Sequence, residues 1–159
     1  MSDKTRSWNV AKCIRVLYQS SREATLLRFA NEVLGKWTDC VIANDAKTVL
    51  RYAVLYGGSS PVTFLSCGVT RGTTPAFLEG WRSAGASRLA GGFNVASAVD
   101  ALLILGTLWR TFARGNTQTQ IYGHSAGGGL AEVLHNLAVV NGVGTCVEKI
   151  TFGAPKVCF

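Results

Sequence analysis

Ser125 stands between two glycines, each two residues away, in the stretch Ile121-Tyr122-Gly123-His124-Ser125-Ala126-Gly127-Gly128-Gly129-Leu130-Ala131. A G-x-S-x-G pattern has a physical reason when it joins a strand to a helix. The turn is strained and projects the serine hydroxyl out of the sheet, and side chains two places to either side would collide. The following helix aims its N-terminal N–H groups at the same spot, where negative charge develops during acyl transfer. The chemistry implied is nucleophilic attack by the Ser125 hydroxyl on an ester carbonyl. With Gly at 18 of 159 positions, such a pentapeptide arises by chance in about one chain of this composition in seven. Its surroundings therefore decide its meaning.

Those surroundings fit. Thr117 to Tyr122 reads as a short strand, and Ala126 to Val140 as a helix stopped by Asn141-Gly142. Cys146 to Phe152 reads as a further strand, and Asn94 to Arg114 as a long helix with Ala98, Leu102, Leu105, Leu108 and Trp109 on its buried stripe. The order helix, strand, helix, strand implies parallel pairing with right-handed crossovers. Earlier, Val49 to Tyr56 and Pro61 to Val69 flank Gly57-Gly58-Ser59-Ser60 and read as a hairpin. Ser20 to Gly35 is an amphipathic helix, with Ser20 or Ser21 as its cap and Gly35 as its stop. A preceding helix spans roughly Trp8 to Tyr18. The expected architecture is α/β: a partial, mostly parallel sheet with an N-terminal hairpin and flanking helices. One domain covers 1–159, and residues 1–48 are its helical N-terminal segment.

Composition narrows the classes. Hydrophobic residues at 48% and charged residues at 16% describe a folded chain. The net charge of +7 admits two readings, attraction to an anionic phospholipid surface or ordinary solubility charge. No nucleic-acid-binding motif accompanies it, so no nucleic-acid partner is expected. The five cysteines include no C-x-x-C pair, leaving a zinc site unsupported and reduced, partly buried thiols expected. No metal or organic cofactor is implied. No secretory signal or membrane-spanning stretch is seen in the sequence, so a cytoplasmic location is the default expectation.

Four segments together resemble the class 3 lipases of the α/β-hydrolase fold. Gly123 to Ala131 is similar to that family's G-H-S-L-G-G-A-L-A elbow, and Thr151-Phe152-Gly153-Ala154-Pro155-Lys156-Val157 to its T-F-G-x-P-R-V strand end. Arg71-Gly72-Thr73 is similar to its R-G-T/S turn, and Gly92-Phe93 to the G-F before its elbow-preceding helix. The resemblance covers about residues 49–159, in the family's order. It implies that Ser125 is the nucleophile and that the Ala126 N–H is one oxyanion donor. Thr73 would supply the second through its backbone N–H, its hydroxyl assisting. It also implies a lipid or acylglycerol ester substrate and a lid over Pro75 to Gly91. Ala126 replaces the family's Leu, at a position where only the N–H is needed.

The mechanism also needs a base and an acid to orient it, and in this fold both follow the serine. The chain has two histidines. His124 adjoins Ser125 and is expected to point away and pack. His135 lies ten positions along the helix, about 15 Å on at 1.5 Å per residue. Glu132 and Glu148 have no histidine placed to use them. Three explanations stay open: a piece of a longer lipase, a short non-catalytic binding module, or a second chain completing the site. A sheet stopping at the Phe152 strand would leave a parallel edge that invites such a partner.

Overall fold

A computed structural model of the chain describes residues 1–45, 50–68, 118–141 and 145–153. The N-terminal helix α1 (Asp3–Gln19) starts before the expected Trp8, because the Ser2 hydroxyl accepts the Thr5 N–H and Asp3 faces the helix's positive end. Helix α2 runs Glu23–Val33. Ser20 and Ser21 do not cap it. Ser20 is the C-cap of α1 and its hydroxyl accepts the Arg22 N–H, so Arg22 enters α2 without a side-chain cap. Gly35 does lie at its end, donating to the Ala30 carbonyl at 3.2 Å.

Five strands form one sheet in chain order: β1 (Asp39–Asp45), β2 (Leu50–Tyr56), β3 (Val62–Gly68), β4 (Gln118–His124) and β5 (Thr145–Phe152). The β1–β2 and β2–β3 pairs are antiparallel, and β3–β4 and β4–β5 are parallel. Only β2 is thus reversed, and four strands share one direction. The expected hairpin is β2–β3. Its turn uses Gly57 and Gly58 at φ of 73° and 74°, where a side chain would be strained. A Cβ on Gly57 would also strike the Thr38 hydroxyl. β1 lies inside the segment expected to be helical. It pairs with β2 along its whole length.

The third helix, α3 (Ala126–Asn141), links the parallel strands β4 and β5. It covers one face of the sheet, packing Leu130, Val133, Leu134 and Ala138 on Val54, Phe64 and Ile121. On the other face α1 and α2 pack Val10, Ile14, Leu17 and Leu26 on Leu55, Leu65 and Tyr122. Neighbours in sequence such as Phe64 and Leu65, or Ile121 and Tyr122, thus point into opposite layers, as strand alternation requires. A central strand covered on both faces reads as a continuous apolar run, and six successive residues of β3 are buried. Each fully buried Leu or Phe contributes about 1.5–3 kcal/mol by leaving water.

Among the described residues no helix is long and apolar enough to cross a membrane. Cys13, Cys40 and Cys67 are free thiols, and burial pushes each up to about 12.

Candidate active site

Strand β4 ends at His124 and α3 begins at Ala126, so Ser125 alone makes the turn between them. Its φ is 55°, the left-handed region, and it is the one non-glycine there among the described residues. Residues other than Gly, Asn and Asp rarely adopt it, at a cost of about 1–2 kcal/mol. The Ser125 N–H donates to the Phe152 carbonyl of β5 at 2.9 Å, and its own carbonyl accepts the Gly129 N–H at 3.1 Å. One bond ties the turn to the neighbouring strand and the other starts the helix.

Both flanking glycines are required by contact. A Cβ on Gly123 would strike the backbone of Gly127 and Gly128, so the helix could not fold back over the strand end. A Cβ on Gly127 would strike the backbone of Ser66 and Cys67 in β3. Ser66, fully buried, donates its hydroxyl to the Gly127 carbonyl at 2.5 Å. That bond pins the first turn of α3 to the central strand. Sequence reasoning missed Ser66; the available signal was a second hydroxyl, after Thr63, late in the apolar run Val62-Thr63-Phe64-Leu65-Ser66-Cys67.

The helix N-terminus lies directly after the serine. The first four N–H groups of a helix lack intrahelical partners and carry its partial positive charge, and Ala126 heads α3. This is the place assigned to Ala126 as an oxyanion donor. Thr73, with Arg71 and Gly72, lies outside the described residues, as do Gly92-Phe93, the 75–91 lid segment, the 94–114 helix, Asp100 and Pro155. Among the described residues no three His, Cys, Asp or Glu side chains gather to hold a metal.

His124 turns to the other face of the sheet. Its Nδ1 is 2.6 Å from the Tyr18 hydroxyl of α1, and the two rings meet edge to face with centroids 5.5 Å apart. His135 sits far along α3, half-buried, its Nδ1 unpartnered. Desolvation lowers its pKa, helped by the positive charge of Lys149 and opposed by Glu132. Glu132 is itself engaged by Lys149 at 2.6 Å and by the Thr151 hydroxyl at 3.1 Å. Glu148 is held by Arg6, with Nε–O distances of 2.7 and 3.0 Å, and by the buried Tyr122 hydroxyl. Burial and the Glu148 bond both push the Tyr122 phenol up, so it stays protonated. The downstream carboxylates therefore brace helix to sheet, and no described side chain hydrogen-bonds the Ser125 hydroxyl.

An open cavity of about 300 Å³ adjoins the turn on the α1 side, lined by Ala11, Ile14, Arg15, Tyr18, His124 and Phe152.

No protein-family model matches this chain, and no curated protein matches it. Among solved structures the chain is similar to the crystal structure of M37 lipase, with a TM-score of 0.50 and 13% sequence identity. The match covers 93% of this chain and 58% of that one. At this identity the likeness shows the fold alone: a lipase-like α/β fold, in agreement with the expected fold class.

Proposed function

We propose that the chain carries the nucleophile half of a serine ester hydrolase resembling the class 3 lipases, acting on acylglycerol or related lipid esters. The observation that carries this reading is the backbone of Ser125. A non-glycine residue holds φ of 55° between strand and helix, and strain of this kind gathers at functional sites. In the reaction, the Ser125 oxygen attacks the ester carbonyl. The Ala126 N–H, with Thr73, stabilises the oxyanion; the ester C–O bond then breaks, the alcohol leaves with a proton, and water hydrolyses the acyl-Ser125 ester to release the fatty acid and restore the hydroxyl. A base must take the serine proton. His124 is bound to Tyr18, and His135 lies about 15 Å down the helix. Efficient turnover thus calls for a histidine other than these two, together with a carboxylate to orient it.

Incubation with a p-nitrophenyl ester tests this. The expected result is slow release of up to one equivalent of p-nitrophenol and an acyl group on Ser125 by mass spectrometry, both lost in Ser125→Ala. A second reading, a non-catalytic lipid- or protein-binding module, is favoured by the finding that no described side chain hydrogen-bonds the Ser125 hydroxyl. Lipid binding by the folded protein with no Ser125-dependent acylation would establish that reading and reject the first.

A further inference from the structure

Helix α1 buries Val10, Cys13, Ile14 and Leu17. On the opposite face Lys4, Trp8, Lys12 and Arg15 recur at i, i+4, i+8 and i+11, and so form one stripe. Trp8 is 63% exposed. The Lys12 ammonium lies over the Trp8 ring, 5.6 Å from its centroid. No ion pair joins Lys4, Lys12 or Arg15 to any described residue. Asp3, the acid of α1, projects about 100° from Lys4, on the side away from Lys12. The stripe therefore combines an amphipathic ring with three cations and no acid.

We propose that this outward face of α1 docks the protein on an anionic phospholipid surface. The indole would settle at headgroup depth, where aromatic residues partition, while the cations meet lipid phosphates and carboxylates. Charge complementarity selects this occupant, in a chain of net charge +7. The face also reaches the candidate site. Arg15 lines the open cavity together with Tyr18, His124 and Phe152, next to the Ser125 turn. Docking would bring lipid to that end of the sheet. The inference goes beyond acyl transfer and stands without it, so Ser125→Ala should bind vesicles like the parent.

Flotation of the whole chain with phosphatidylcholine vesicles, with and without phosphatidylserine, tests the docking. Binding is expected only with phosphatidylserine and should weaken as salt rises. The triple variant Lys4→Gln, Lys12→Gln, Arg15→Gln should bind about a hundredfold more weakly, and Trp8→Ala about tenfold. All substituted side chains point away from the core, and circular dichroism confirms that each variant is folded. Equal binding to both vesicle types, or unchanged binding by both variants, would overturn the proposal. So would a dimer lost in Trp8→Ala with no vesicle binding, or preference for RNA over vesicles through the same cations.

Discussion

Ser125 holds a conformation that a glycine would adopt at no steric cost. Replacing it separates backbone strain from chemistry. Ser125→Gly is expected to stabilise the fold by about 1 kcal/mol relative to Ser125→Ala, which removes the hydroxyl and keeps the Cβ. Urea midpoints of the two variants measure the difference. Equal midpoints would mean that the turn stores no strain at this residue. The pentapeptide was legible in the sequence because the glycine spacing follows from collisions at the turn. His124 was also legible, since the residue before the turn must point elsewhere. Ser66 was not. Its hydroxyl matters only because α3 folds back onto β3, a contact across 61 positions.

The elements flanking the serine are the strand–helix pair that the spacing of apolar residues predicts. β4 and α3 agree with the expected ranges to within two residues, because a buried strand and a long apolar helix leave clear patterns. β1 left none. Its sequence Asp39-Cys40-Val41-Ile42-Ala43-Asn44-Asp45 is short, begins and ends in acids, and owes its form to pairing with β2. Propensity does not reveal a strand stabilised by its neighbour. The N-cap of α2 departs from the expected Ser20 or Ser21 for a related reason: Ser20 closes α1, and the sequence does not say which helix claims a shared hydroxyl. At this scale Gly127→Ala is the telling change. Its Cβ would force α3 away from the backbone of Ser66 and Cys67. A loss of about 1–3 kcal/mol is expected from overpacking, together with loss of any Ser125 reactivity. Thermal unfolding checks the first. A neutral effect would contradict the close approach of α3 to β3.

Across the whole molecule, the sheet is held between α3 on one face and α1 with α2 on the other. Charges at the periphery stitch these layers together. Arg6 ties α1 to Glu148 and Tyr122, and Lys149 with Thr151 ties β5 to Glu132 of α3. His135 shares that second interface. Its pKa is lowered from an ordinary 6.5, chiefly by desolvation, so the unfolded chain binds its proton more readily. Its contribution is therefore complete above pH 6.5 and falls as pH drops from there through the lowered value. The loss of stability between pH 7.5 and pH 5 should be smaller in His135→Gln than in the parent, read from urea midpoints. The same loss in both would remove His135 from the linkage.

Whether the fold presents a reactive serine is decided by one measurement on the intact chain. Preorganised oxyanion donors retain part of a serine hydrolase's rate even when the base is missing. A fluorophosphonate probe, incubated with the folded protein and followed by peptide mass spectrometry, should therefore place an adduct on Ser125, slowly and at no other serine. Ser125→Ala should show none. A folded parent chain that remains unlabelled, or a Ser125→Ala variant labelled equally, would contradict the assignment of Ser125 as a nucleophile.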